Sequence, residues 1–210
     1  SVGNGWQWQP RNQYHVKAGA RGLTWSKKQP STQDDYRFQN HLDTVRQPYV
    51  SHETGQWCAF PNFNEIRKYT GVNKAKNFEI FKDILADNHM SDQAHLFSGK
   101  LQALCYKYEI EKTLRTPDYA GFQLLSLNDY SGQGTALVGV LDVFFEEKGY
   151  INSAEWRRFC SPTVPLMRTD KFVYNNKEIL KADIEIAHFG AEALKQAEIV
   201  YTLKDEYGKV

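Results

Sequence analysis

The segment Pro48-Tyr49-Val50-Ser51-His52-Glu53-Thr54-Gly55-Gln56-Trp57 gathers residue types that can do chemistry together. An apolar, β-favouring run ends in His-Glu, and glycine, glutamine and tryptophan follow at once. A carboxylate at the C-terminal end of a strand, beside a glycine turn and an indole, suits chemistry on a sugar. Glutamate can attack an anomeric carbon, and tryptophan offers a flat apolar face to a pyranose ring. A second set follows at Asn128-Asp129-Tyr130, with Gln133 in the loop Ser131-Gly132-Gln133-Gly134. Each group alone has a plainer reading: His52 and Trp57 as core residues, Glu53 as an exposed strand end, Asn128-Asp129 as an Asx turn. Their joint occurrence at two strand ends favours a binding rim.

The elements that must position them follow from periodicity. Residues 46–52 read as a buried strand. Asn62 caps a short helix, Phe63 to Tyr69, that stops at Gly71, and residues 73–87 form a second helix with Phe78, Ile80, Phe81, Ile84 and Leu85 as its apolar stripe. A third helix starts at an N-cap Ser91. It repeats Phe97, Leu101, Leu104, Cys105 and Tyr108 at helical spacing and stops at Pro117. Residues 120–127 form a second strand, and 136–145 are expected to be partly helical. Strand, helices and strand in this order predict a parallel sheet, whose C-terminal strand ends carry the binding groups.

Beyond residue 160 the rhythm changes. Pro162 and Pro165 suggest a linker, and the segments 171–174, 182–188 and 198–203 alternate as short antiparallel strands, with a last turn at 205–208. The expected class is therefore α/β, with an antiparallel β region of sandwich type begun but not closed. The division falls into residues 1–160 and 161–210. Residues 1 to about 40 show no sustained period, with Trp6, Trp8 and Trp25 scattered among polar residues.

Composition narrows the function classes. Net charge is +1 with acids and bases interspersed, which gives no electrostatic footprint for nucleic acid and no basic face for a membrane. No apolar run approaches the roughly 20 residues of a membrane span, and the first residues lack the charged start and apolar core of a signal peptide. Cys58, Cys105 and Cys160 are widely spaced, read as free thiols, and offer no metal-site pattern. No metal and no cofactor is expected. Five Trp, 12 Tyr and 12 Phe suit carbohydrate recognition as well as a large core.

Three segments carry a resemblance: His52-Glu53-Thr54-Gly55-Gln56-Trp57, the helix with Gly99-Lys100-Leu101-Gln102-Ala103-Leu104, and Gly121-Phe122-Gln123-Leu124-Leu125 with Asn128-Asp129-Tyr130-Ser131-Gly132-Gln133-Gly134. From about residue 45 onward they resemble glycoside hydrolase family 2, the clan of β-galactosidases, β-glucuronidases and β-mannosidases. The resemblance implies a segment of a (β/α)8 (TIM) barrel over 1–160 and the start of a β-sandwich domain over 161–210. It implies Glu53 as the nucleophile of a retaining β-glycosidase, His52 as its supporting hydrogen-bond donor, and Trp57, Gln56, Asn128, Asp129 and Gln133 as sugar contacts. The family's Asn-Glu pair, which carries the acid/base, is missing before Glu53; Asn64-Glu65 lies after it, on a helix. The second strand also ends in Leu125-Ser126-Leu127-Asn128 rather than in a Trp-containing segment. A carbohydrate substrate, a periplasmic or secreted parent protein, and homo-oligomerisation through open strand edges complete the expectation. The alternative is a non-catalytic carbohydrate-binding protein.

Overall fold

The computed structural model describes residues 31–33, 35, 49–90, 93–117, 119–134 and 136–210. The architecture is mixed α/β, with two small sheets of two strands each. β1 (Tyr49–Thr54) pairs in parallel with β2 (Tyr119–Leu124), so the C-terminal ends of both strands lie on one side, as the strand-helix-strand order predicts. The register shifts after Tyr49 and again between Ser51 and Thr54. The expected irregular stretch over residues 1 to about 40, with its tryptophans, falls outside the described residues except at 31–33 and 35, and so does the Ser91 cap.

Between the strands come a 3-10 helix (Phe63–Lys68), α1 (Lys76–Asp87) and α2 (Ala94–Arg115). Asn62 caps the first of these by accepting the Asn64 N–H, but the six residues close with a Tyr69 N–H to Ile66 carbonyl bond. That i to i+3 pattern makes the expected short helix a 3-10 helix, as is common for so short an element. α1 buries Phe78 and Leu85 and leaves Ile80 and Ile84 about half exposed. Phe78 joins Ala75 and Leu137 in a small core against which Phe63, Ile66 and Tyr69 pack.

α2 corrects the sequence reading most. Of its expected stripe only Cys105 and Tyr108 are buried, while Phe97, Leu101 and Leu104 are 62%, 58% and 59% exposed. The face turned inward carries Gln102, Tyr106, Glu109, Ile110, Lys112 and Thr113. The physical reason lies opposite that face: the loops beyond β1 and β2 present buried carbonyls, and buried carbonyls need donors.

Residues 136–145 are irregular rather than helical. Isolated bridges join Leu141 to Asn128 and to Glu147, and the Asp142 carboxylate accepts the N–H groups of Phe144 and Glu146 to hold a turn. α3 (Ser153–Arg157) follows, opened by a capping box between Asn152 and Glu155. β3 (Thr163–Arg168) and β4 (Asp183–His188) then form an antiparallel pair. Pro165, expected in a linker, lies inside β3 opposite Ile186; in a two-stranded sheet each strand keeps a free edge, where a missing N–H costs nothing. Residues 171–174 and 198–203 are not strands; the latter are exposed, Tyr201 by 86%. The turn at 205–208 forms as expected, with the Asp205 carboxylate accepting the Tyr207 and Lys209 N–H groups. Val164, Leu166 and Ala187 form a core that Leu114 of α2 joins, and Arg168 donates to the Arg115 carbonyl, so the hairpin rests on the C-terminal end of α2.

Candidate functional site

The C-terminal end of β1 is strained at Glu53. Glu53 has φ +55, the left-handed region that a non-glycine residue seldom occupies, and Gly55 follows at φ +79. Strain of this kind costs about 1–3 kcal/mol and persists only where the surroundings impose it. They do so here. The ring of Tyr106 lies against Gly55 so closely that an added Cβ would stand 1.9 Å from its Cε1. The Tyr106 hydroxyl lies 2.7 Å from the Gly55 carbonyl oxygen and 2.5 Å from that of Val138. Gln102 donates to the carbonyls of Trp57 and Leu137, at 2.5 and 3.1 Å, and the Trp57 indole N–H donates to Glu109 Oε2 at 2.9 Å. One helical face thus fixes the turn after β1 and ties it to the segment 137–139.

Gln56 Nε2 donates to Glu53 Oε2 at 3.2 Å, so these two predicted residues meet, with Gln56 exposed beside the partly buried carboxylate. Trp57 is half-buried and anchored through its indole nitrogen. His52 contributes its backbone to β1; its side chain lies outside the described residues.

The second strand end is arranged differently. Leu125 N–H reaches the Thr54 carbonyl at 3.0 Å, which carries the chain past β1 to Asn128, whose side chain donates to the Asp129 carbonyl at 2.9 Å. Asp129 is 2% exposed. Its carboxylate accepts the Gly139 N–H at 2.9 Å and pairs with Lys148 at 2.6 Å. Both of its oxygens are engaged inside the chain, so Asp129 organises the loop instead of facing a ligand. Burial holds its carboxyl above the ordinary value, against the pull of Lys148 and the Gly139 N–H. Lys148 also donates to the Gly139 carbonyl, and the Tyr150 hydroxyl donates to Gln102 Oε1. Gly139 has to be glycine: a Cβ there would lie 2.2 Å from the Asn128 carbonyl carbon. Gln133 is exposed in the following turn, its N–H on the Tyr130 carbonyl at 3.3 Å. Residue spacing contained a signal for the inward face, since Gln102, Tyr106 and Glu109 recur at i, i+4 and i+7.

Burial pushes the hydroxyls of Tyr106 and Tyr150 well above the ordinary tyrosine value, which keeps both as donors at any physiological pH. Burial likewise raises the Cys105 thiol to about 11, and all three cysteines are free. Among the described residues, no group of three or more His, Cys, Asp and Glu side chains could hold a metal ion. No described helix is long and apolar enough to cross a membrane. An open cavity of about 350 Å³ lies at the other end of the sheet, against Leu114, Tyr119, Ala120, Gly121 and Phe189, away from Glu53. Compared with family models and with curated proteins, the chain finds no match.

Proposed function

We propose that this chain is a segment of a retaining β-glycosidase of the family 2 type, with Glu53 as the nucleophile. The observation that carries the proposal is the strained Glu53 at the C-terminal end of a strand with a parallel neighbour, its carboxylate held by Gln56. Glu53 attacks the anomeric carbon and forms a glycosyl ester as the bond to the leaving oxygen breaks. A second carboxylate gives that oxygen its proton and then takes one from the attacking water. Retention requires the two carboxyls roughly 5–5.5 Å apart. In this reading the second carboxylate comes from a part of the parent protein outside this chain. Gln56 and Trp57 border the sugar, with Asn128 and Gln133 on the neighbouring rim. β1 and β2 are two adjacent strands of a (β/α)8 barrel, and β3 and β4 open a sandwich domain.

Activated 2-deoxy-2-fluoro β-glycosides test this directly, because their leaving groups depart without an acid and the trapped ester is stable. Intact mass and peptide mapping should locate the adduct on Glu53, and Glu53→Gln should remove it. An adduct on another residue overturns the assignment. Sugar binding by both the chain and its parent protein with no adduct in either would make this a carbohydrate-binding protein without the chemistry.

A further inference from the structure

Glu65, on the 3-10 helix, is 2% exposed, and its Oε2 has no hydrogen-bond partner among the described residues. The carboxylates of Asp142 and Asp129 face it from the loop after β2. Lys148 faces it from the same loop, and Lys68 and Tyr69 from its own helix end. Both ammonium groups are already committed. Lys148 Nζ lies 2.6 Å from Asp129 Oδ2 and donates to the Gly139 carbonyl at 2.7 Å. Lys68 Nζ lies 2.7 Å from Asp142 Oδ2 and 2.7 Å from Glu146 Oε2, the latter largely in solvent. Two cations against two buried carboxylates leave the third without a counter-charge. A buried acid in that position keeps its proton.

We propose that Glu65 is a proton-operated lock. When it is neutral the 3-10 helix stays packed on residues 129–148, and loss of its proton puts three like charges into one dry cluster and frees that loop. Nothing in this depends on what the Glu53 turn does.

The electrostatics agree with the geometry. Burial first, then Asp142 and Asp129, push the Glu65 carboxyl from 4.5 up to about 7, against the pull of Lys148 and Lys68. The folded state therefore holds a proton that the unfolded chain has already released. The stability Glu65 contributes is complete below pH 4.5 and is lost as pH rises through about 7. Asp142 works in the opposite sense. Burial pushes its carboxyl up, but Lys68 and the N–H groups of Glu146 and Phe144 outweigh that and hold it below the usual range. Its contribution is lost in acid.

The test is a carboxyl-carbon NMR titration of the full chain, with Glu65→Gln to assign the signal. Amide exchange at Gly139, Phe144 and Glu146 is followed alongside it, corrected for intrinsic rates. Glu65 should titrate near pH 7, and opening at those amides should increase by up to about tenfold per pH unit between about pH 4.5 and 7 and level off above that. In E65Q the opening should not change with pH over the same range. A Glu65 midpoint below about 5, the ordinary carboxyl range, overturns the proposal. So does identical pH dependence of exchange in the two proteins. Should E65Q fail to fold, the midpoint in the unaltered chain decides.

Discussion

Gly55 carries two demands at once: a positive φ, and room for the Tyr106 ring on its Cα. Gly55→Ala meets neither, and should destabilise the chain by about 2 kcal/mol, read as a lower urea midpoint at unchanged slope. Tyr106→Phe keeps the ring and removes the hydroxyl near the Gly55 and Val138 carbonyls. It should cost about 1–2 kcal/mol, since a buried acceptor loses its donor. A Tyr106→Phe protein as stable as the parent would mean that the hydroxyl does not tie the two segments. Lys148→Met leaves the Asp129 charge buried and uncompensated, for about 3–5 kcal/mol, and adding Asp129→Asn should recover part of it. Asp129 also marks where residue type alone misled. An Asn-Asp pair at a strand end reads equally as a ligand contact or a loop anchor, and only the position of Lys148, 19 residues on, decides between them.

At the scale of elements, the order of strands and helices from β1 to β2 was legible because their boundaries rest on local signals: the Asn62 cap, the stop before Pro117, the glycine turn after β1. The parallel pairing of β1 with β2 followed from that order. What was not legible was which face of α2 turns inward. Apolar periodicity pointed to Phe97, Leu101 and Leu104, yet the buried face is the polar one, because loop carbonyls outside the helix set the demand for donors. The expected strand at 198–203 did not form, because its alternation found no partner strand among the described residues. The Asn152–Glu155 capping box was readable as Asn-x-x-Glu before α3. Asn152→Ala should lower stability by about 1 kcal/mol, measurable by thermal unfolding.

For the whole molecule, the exposed apolar positions on α1 and α2 depart from an ordinary surface. Ile80, Ile84, Phe97, Leu101 and Leu104 are each about half exposed or more, and a two-stranded sheet is only marginally stable by itself. The chain should associate at micromolar concentration in sedimentation. Leu101→Lys with Leu104→Lys should reduce that association while shifting the unfolding free energy by no more than about 0.5 kcal/mol per site. The parallel pairing has a further consequence, in time rather than in space. β1 and β2 are separated by the 3-10 helix, α1 and α2, so their contact closes a long loop and is slow compared with helix formation. The turn bearing Glu53 is held by contacts from α2 and from residues beyond β2, so it can take its strained shape only after both have arrived. A chain emerging from synthesis therefore completes the Glu53 turn only once residues 137 and 138 have followed α2. A chain cut before Val138 would lack one of the two carbonyls near the Tyr106 hydroxyl.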